Sequence, residues 1–305
     1  MSMPFYVSPE QIMRDKADYA RKGIARGRSC VALQYAGGIL MVAPNPSSAL
    51  HKISEIYDRI AFAAVGRYNE YESLRKQGVT YADITGYQFD RNDVTARGIA
   101  NWYAQMLGTI FTDSNKPFEV EIVVAEVGEQ PHDDQIYRIT FDGSVTDEPG
   151  FVAFGGQADQ VAAQLKERFS EGMSLAEAMG AALAALAAPS QPGNGEQSPL
   201  SAAQLEVAIL DRARAHRTFR RLRGVRLEEL LAESRAIAGS GSGAAGALDS
   251  GGGSGANDAG SGGTSGPGSG GPGSGGPGSG GPGSGGSGEP PTGPAPGGSD
   301  GIPRP

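Results

Sequence analysis

The sequence predicts an α+β fold, a four-layer αββα sandwich in which two antiparallel sheets lie between helix layers. Three observations lead to this prediction. Two apolar runs flank Gly37-Gly38, which is a strong signal for a tight β-hairpin. Helical patterns then occur in pairs between groups of strands, so that the order is strands, two helices, strands, two helices, strands, helix. The composition changes at Ala236, which bounds the part of the chain that can fold.

The first predicted element is a helix that begins at Ser8-Pro9. Ser8 has the side chain of an N-cap, Pro9 suits the first helical position, and Gln11 is placed to complete a capping box. Gly23 and Gly27 are expected to end this helix, because glycine is common at helix C-termini.

The elements that follow are assigned from the period of their apolar residues, which is about 3.6 in helices and 2 in strands. The predicted strands are the hairpin within Ser29–Ala43, Lys52–Gly66, Glu119–Val127, the hairpin Tyr137–Val145, Phe151–Gly156, Leu205–Asp211 and Arg217–Leu222. The predicted helices are Arg67–Tyr87, Asp93–Phe111, Ala158–Phe169, Ser174–Ala187 and Val225–Ser234.

The C-terminal segment differs in composition from the rest of the chain. Residues 236–305 consist largely of Gly, Ser, Pro and Ala, with Pro-Gly-Ser-Gly-Gly units that begin at Pro267. Such a segment cannot bury enough apolar surface to offset the entropy of ordering it, so it is predicted to be a flexible coil. The remaining chain is predicted to form an apolar arm at residues 1–7 and one domain at residues 8–235.

The chain has a net charge of −8. The tail has four acidic residues and one arginine, a net charge of −3, so the rest of the chain has a net charge of −5. A mildly acidic domain argues against nucleic acid as a partner. The local exception is a basic run near the C-terminal end of the domain. Its alternation with apolar residues is typical of a strand with one solvated face, which we favour over a polyanion site. The run comprises Arg212, Arg214, His216, Arg217, Arg220, Arg221 and Arg223.

Residues that could bind a metal or form a disulfide are few. Cys30 is the single cysteine, so no intrachain disulfide is possible, and the three histidines are scattered along the sequence. Asp133-Asp134 lies in a polar stretch and is expected to be solvated. No cofactor or metal is therefore expected. The N-terminus has no long apolar core and no run is long enough to span a membrane, so a cytoplasmic protein is expected.

The hairpin, the apolar run Lys52–Gly66 and the segment Lys116-Pro117-Phe118 together resemble proteasome subunits, members of the N-terminal-nucleophile hydrolase superfamily. The resemblance extends from about Met1 to about Ser234 and implies the fold of that superfamily. The family usually has Arg-Pro-aromatic-Gly at the third segment, and here Glu119 replaces the glycine.

Catalytic members of this family begin the first strand with a free threonine, have an acid in the region of the second strand, and have a lysine before the third. In this alignment Arg28 takes the position of the threonine and Pro44 takes the position of the acid. Only Lys52, at the position of the lysine, matches the catalytic pattern. A non-catalytic α-type subunit of the bacterial, actinobacterial form is therefore implied. The alternative is an active hydrolase that cleaves itself before Ser29 or Cys30, where a freed amine would act as the base.

The resemblance also implies sites and partners. Lys52 matches a lysine that receives the C-terminal carboxylate of an activator in a pocket between neighbouring subunits, and Gly66 and Arg21 match positions near that pocket. The implied gate of the axial pore is the arm of Ser2, Met3, Pro4, Phe5, Tyr6 and Val7. The implied partners are further copies in a homo-heptameric ring, proteasome β subunits and an AAA ATPase ring activator. Protein substrates that carry a ubiquitin-like tag would reach the subunit through the activator.

Overall fold

Two five-stranded antiparallel sheets pack face to face at the centre of the structure, a computed structural model that describes residues 8–187 and 200–243. In these residues the helices are α1 Pro9–Ala25, α2 Tyr68–Gln88, α3 Ala96–Asp113, α4 Ala158–Arg168, α5 Leu175–Ala187 and α6 Val225–Gly243. The strands are β1 Cys30–Tyr35, β2 Gly38–Pro44, β3 Ile53–Tyr57, β4 Ile60–Gly66, β5 Val120–Glu126, β6 Gln135–Ile139, β7 Val145–Asp147, β8 Phe151–Phe154, β9 Leu205–Asp211 and β10 Phe219–Leu222.

The strand order defines the two sheets. One sheet, here called sheet A, has the order β10-β9-β2-β1-β8, and the other, sheet B, has the order β3-β4-β5-β6-β7. Every neighbouring pair is antiparallel. The predicted hairpin at Gly37-Gly38 is confirmed, with Tyr35 paired to Gly38.

Three apolar clusters separate the four layers. One lies between sheet A and helices α4, α5 and α6, a second between the two sheets, and a third between sheet B and helices α2 and α3. In β1, Val31 and Leu33 face the first cluster, whereas Cys30 and Ala32 face the second. Because both faces of these strands are buried, their sequences read as continuous apolar runs. The predicted αββα sandwich is confirmed.

Some predicted elements differ from the structure. The run Lys52–Gly66 is two strands, β3 and β4, because the polar pair Asp58-Arg59 forms a turn between them. Helix α3 begins at Ala96 rather than Asp93, since Thr95 caps it by accepting from the amide of Gly98 at 3.1 Å.

The two terminal helices also differ from their predictions. Helix α6 continues past Ser234 to Gly243, through a segment assigned to the tail by composition. Ser8 caps α1 as predicted, but the side chain of Gln11 donates to Asp15 at 2.8 Å instead of completing a capping box. Gly23 lies inside α1, where glycine costs about 0.5–1 kcal/mol relative to alanine. A glycine is needed here because the carboxylate of Glu119 occupies the space beside it: a Cβ at Gly23 would lie 2.2 Å from one of its oxygens.

The acidic pair is placed differently from expectation, whereas the basic run contains the predicted strand, β10. The side chain of Asp134 is fully buried and accepts two hydrogen bonds from Arg212, each at 2.8 Å, so Asp134 is not solvated. Arg217, Arg220 and Arg221 form ion pairs with acidic residues of neighbouring strands and turns. These three arginines therefore connect β10 and the segment before it to β3 and β9.

Candidate functional site

Lys52 is the residue immediately before β3, at the edge of sheet B nearest the end of α1. Its carbonyl accepts from the amide of Ala64 at 3.0 Å, so Lys52 lies opposite β4, two residues from Gly66. Its side chain is half-buried, and the ammonium donates to the carbonyl oxygen of Arg28 at 3.1 Å. The positive charge is thus held where the chain leaves α1 and enters β1.

Glu206 of β9 fixes the main chain around Lys52. Its side chain is 5% exposed, and its carboxylate accepts from the amide of Lys52 at 2.9 Å and from that of Ile53 at 3.2 Å. It also accepts from the side-chain amide of Asn45 at 2.8 Å and forms an ion pair with Arg221. A buried carboxylate needs such partners to offset the loss of hydration. Glu206 therefore positions Lys52 through the backbone.

His51 extends this network to the surface. Its Nδ1 lies 3.3 Å from Glu206, and its Nε2 lies 3.2 Å from a guanidinium nitrogen of Arg223. Burial and the charge of Arg221 lower the pKa of His51. Both effects favour the neutral imidazole over the charged form.

Gly66 ends β4 and turns the chain toward α2. Its φ is 121°, and a Cβ at this position would lie 1.9 Å from the carbonyl oxygen of Glu119. Only glycine fits this backbone conformation without strain. On its other side is the turn after α1, since a Cβ on Gly27 would lie 3.7 Å from the amide nitrogen of Gly66. Lys52 and Gly66 therefore both border the turn between α1 and β1.

Arg21 lies earlier on α1 and faces a different cleft. Its guanidinium pairs with Asp18 at 3.3 Å and lies 5.8 Å from the ring centroid of Phe141. The cleft has a volume of about 560 Å³ and includes the loop of Gly155-Gly156 after β8. Lys52 and Gly66 do not line it. Within one subunit, the structure brings Lys52 and Gly66 together but not Arg21.

The predicted gate residues Ser2–Val7 lie outside the described residues, which begin at Ser8. Ser8 is the N-cap of α1, with its side chain accepting from the amide of Gln11 at 3.3 Å.

Ser29 and Cys30, the alternative nucleophiles, are both buried. Cys30 is 1% exposed, and burial raises the pKa of its thiol to about 11, so the reactive thiolate is disfavoured. The hydroxyl of Ser29 accepts from the amide of Gln157 at 3.0 Å. Pro44, at the position of the missing acid, ends β2 and pairs with Leu205.

Two further observations concern the described residues as a whole. They contain no cluster of three His, Cys, Asp or Glu side chains with metal-binding geometry. No helix among them has the length and apolar character that crossing a membrane requires.

Two buried acidic residues that matter for this site were not identified from the sequence. Glu206 and Glu119 each stand at the edge of an apolar strand run, as in Leu-Glu-Val-Ala-Ile-Leu around Glu206. A carboxylate in such a run signals a buried, paired side chain, because an unpaired one would be expelled or neutralised. The sequence therefore contained a sign that both carboxylates are buried. It did not show which residues pair with them, because those residues are distant in sequence.

Comparison with known proteins supports the resemblance to proteasome subunits. The sequence profile of the family described as "Proteasome subunit" matches residues 24–209. A "Proteasome subunit alpha" of Streptosporangium roseum is 71% identical over 237 residues, which cover 77% of this chain and 89% of that protein. Proteins of the same description from Thermomonospora curvata and Thermobifida fusca are 67% and 64% identical, covering 76% and 77% of this chain and 99% and 92% of those proteins. The chain therefore belongs to the proteasome subunit family and, within it, to the bacterial α subunits of the actinobacterial type.

Proposed function

We propose that this α subunit has no catalytic role and that it gates and scaffolds the 20S core. Copies of the chain form a homo-heptameric outer ring, stacked on rings of β subunits that carry the threonine protease activity. An AAA ATPase ring docks on the outer face and feeds in proteins that carry a ubiquitin-like tag. The complex works in the cytoplasm.

The observation that carries the docking role is the environment of Lys52. Its ammonium is paired with a neutral carbonyl oxygen, and among residues 8–187 and 200–243 it has no acidic partner within ion-pair distance. A carboxylate that arrives from an activator therefore finds an unneutralised charge on a rigidly held backbone. Charge-assisted hydrogen bonds are about twice as strong as neutral ones, so exchange of the carbonyl for a carboxylate is favourable.

The separation of Arg21 from Lys52 is consistent with a pocket shared by two subunits. Lys52 and Gly66 border the turn after α1, whereas Arg21 lines the cleft that includes Gly155-Gly156. In a closed ring each subunit presents two different surfaces to its two neighbours. The pocket would then combine Lys52 and Gly66 of one subunit with Arg21 of the next.

The end of α2 supports stacking on a second ring. Tyr87 is 91% exposed, Phe89 is 73% exposed and Ile84 is 51% exposed, all within one turn and a half of chain. Clustered large apolar side chains on a surface are typical of a protein interface. This cluster lies on the α2–α3 layer, on the opposite side of the sandwich from α4, α5 and α6.

The alternative, an active hydrolase that is processed at Ser29 or Cys30, finds little support in the chemistry of these residues. A nucleophile of this class needs an adjacent free amine and an accessible side chain. Cys30 is buried with a raised pKa, and Ser29 is bound to the loop before α4.

Native mass spectrometry of the chain expressed alone and together with its β partner tests the proposal. Heptameric rings that co-purify with β subunits, and peptide hydrolysis only when β subunits are present, are the expected results. Peptide hydrolysis by the α chain alone, accompanied by loss of the residues before Ser29, would instead establish the hydrolase.

A further inference from the structure

A polar cavity lies between the loop that joins β2 to β3 and the end of β10. Its volume is about 220 Å³. One wall consists of residues 45–48 and His51, and the other includes Glu206 of β9 together with Arg221 and Arg223. A water molecule takes about 30 Å³ in the liquid, so the cavity has room for roughly seven waters. An anion with four oxygens therefore fits, together with part of its hydration shell.

Hydrogen bonds hold the loop wall of this cavity in one shape. The side-chain amide of Asn45 donates to the carbonyl oxygen of Leu50 at 2.7 Å and to Glu206 at 2.8 Å. The side-chain oxygen of Asn45 accepts from the amide of Ser47 at 3.1 Å. The hydroxyl oxygen of Ser47 in turn accepts from the amides of Ala49 and Leu50, at 3.4 and 3.0 Å. These bonds leave the hydroxyl proton of Ser47 available as a donor on an ordered wall.

The facing wall has more positive than negative charge. Among the described residues that line the cavity, Glu206 is the one that carries a carboxylate, and Arg221 forms an ion pair with it. Arg223 is exposed, and within residues 8–187 and 200–243 no carboxylate lies within ion-pair distance of its guanidinium. Two guanidinium groups against one carboxylate leave one positive charge in excess. The cavity therefore attracts an anion.

Arg223 has donors to spare for such an anion. Its contact with His51 uses one guanidinium nitrogen, at 3.2 Å from Nε2 of the imidazole, whereas a guanidinium has five N–H donors in a planar fork. Pairs of arginine with phosphate are frequently bidentate and about twice as strong as neutral hydrogen bonds. The oxygens of a tetrahedral anion point in four directions, so one anion can accept from Arg223 on one wall and from Ser47 on the other. The two oxygens of a carboxylate lie in one plane and suit this arrangement less well.

Two sources of a phosphoryl group are compatible with the cavity. One is a free phosphate compound from solution. The other is a phosphate ester on Ser48, which is exposed and lines the same cavity. A kinase would form this ester by attack of the Ser48 oxygen on the terminal phosphorus of ATP. The new P–O bond replaces the bond to ADP, and a base of the kinase takes the hydroxyl proton. Either source brings a charge of about −1.5 to −2 at neutral pH.

We propose that this cavity is a binding site for a tetrahedral phosphoryl anion, with Arg223 as its charged ligand and Ser47 as a hydroxyl donor. Arg221 and Glu206, which pair with each other, form a neutral part of its lining. The site is separate from the proposed docking of a carboxylate at Lys52, which does not line the cavity. Binding can therefore be measured on the α chain alone, whatever the outcome for docking.

NMR of the histidine rings in the full-length chain, titrated with inorganic phosphate at fixed pH, tests the site. Sodium chloride is reduced during the titration to keep the ionic strength constant. The ring signal of His51, identified by its loss in His51→Gln, is expected to shift along a saturable curve. The signals of His132 and His216 should not follow this curve, because neither residue lines the cavity. No shift, or a linear shift shared by all three rings, would overturn the proposal.

Substitutions of Arg223 test its role as the charged ligand. Arg223→Gln is expected to raise the Kd for phosphate at least tenfold, because a hydrogen bond to a charged group is lost. Arg223→Lys keeps the charge without the fork and should raise the Kd by less. The matched control is Arg214→Gln, at an exposed arginine after β9 that does not line the cavity, and its Kd should equal that of wild type. Equal affinity in wild type and Arg223→Gln would contradict the assignment.

Phosphoserine incorporated in place of Ser48 distinguishes the two sources. If the ester fills the cavity, the His51 signal starts at its phosphate-bound position and added phosphate no longer moves it. If free phosphate still shifts the signal with the wild-type Kd, the ligand is a free phosphate compound; both results retain the site. Phosphoserine in place of Ser170, which is exposed between α4 and α5, is the matched control and should leave the titration unchanged. A His51 signal that responds neither to the ester nor to free phosphate would overturn the proposal.

Discussion

The ammonium of Lys52 donates a hydrogen bond to the main-chain carbonyl of Arg28, with 3.1 Å between nitrogen and oxygen. Arg28 lies between α1 and β1, and Lys52 lies directly before β3, so the contact joins the end of the first helix to sheet B. A carboxylate is a stronger partner for an ammonium than a carbonyl. In the proposed docking role, an incoming carboxylate is expected to compete with the carbonyl of Arg28 for the ammonium of Lys52.

Lys52→Ala is expected to abolish ATPase-dependent protein degradation while ring assembly survives. Loss of one partly desolvated charged contact costs about 2 kcal/mol or more per site. Equivalent pockets around the ring multiply this loss through avidity. The measurement is the rate of degradation of a tagged protein with the ATPase present, at equal core concentration.

The matched control for this variant is Lys166→Ala, which removes an exposed lysine from α4. It should leave degradation at the wild-type rate. Peptide hydrolysis should also be intact in both variants, because Lys52 has no catalytic role in the proposal. Normal ATPase-dependent degradation by Lys52→Ala cores would show that the pocket is assigned to the wrong residue.

Glu206→Gln is expected to weaken both the fold and docking. The substitution removes the charge that Arg221 pairs with in a buried site, and it weakens the hydrogen bonds to the amides of Lys52 and Ile53. Breaking one partner of a buried pair costs about 3–5 kcal/mol, because the other charge is left uncompensated. Thermal unfolding of the α chain measures the stability, and Glu228→Gln on α6 serves as an exposed control. An unchanged midpoint would mean that solvent or relaxation compensates Arg221.

The contrast between predicted and observed elements has a physical cause. The hairpin at Gly37-Gly38 and helices α2 and α3 depend on local turn chemistry and on period, which a sequence displays directly. Gly23 was misassigned as a helix end because the reason for a glycine there is the carboxylate of Glu119, nearly a hundred residues away. Asp134 was expected in solvent because its partner, Arg212, lies in the turn after β9, 78 residues further along the chain.

The same contrast between local sequence signals and long-range contacts applies to the candidate site. Lys52 and Gly66 were identified by resemblance, but the roles of Glu206 and Glu119 depend on contacts between distant segments. A sequence pattern indicates that a buried charge exists without indicating what neutralises it.

The purified chain is expected to keep its N-terminus, apart from removal of Met1. Helix α1 is capped by Ser8 and packs Ala20 and Ile24 into the core between the sheets, which gives the segment before β1 a structural use. Intact-mass measurement of the assembled core checks this. Loss of the residues up to Arg28 or Ser29 would contradict a non-catalytic role.

Two C-terminal deletions are expected to differ. Removal of residues 244–305 should not change ring assembly or thermal stability, because a sequence of mainly Gly, Ser and Pro has little apolar surface to bury. Removal from Ala236 onward also shortens α6, and Ala238 lines a mainly apolar groove with Gly180 and Leu183 of α5. That deletion should lower the thermal midpoint by a small amount. A failure of the shorter deletion to assemble would show that the tail has a structural role.

Deletion of Ser2–Val7 is expected to leave the ring assembled and to raise peptide hydrolysis without any ATPase. The segment precedes the cap of α1, and it is short and apolar, with aromatic side chains at Phe5 and Tyr6. In the proposed ring, copies of the segment are expected to converge on the axis, where aromatic side chains of neighbouring copies would pack on one another. Identical short segments at one axis cannot all take one conformation without clashing, so we expect the proposed barrier to be held weakly and to open at modest cost.

The comparison to make is the initial rate on a short fluorogenic peptide, for wild type and deletion at equal core concentration. A matched variant with Phe5→Ala and Tyr6→Ala keeps the length of the arm and removes its aromatic contacts. It should raise the rate part of the way, because aromatic pairs contribute about 0.5–1.5 kcal/mol each beyond their burial. Equal rates for wild type and deletion would mean that the barrier lies elsewhere, and a full rise in the double alanine variant would mean that aromatic packing, not length, closes the pore.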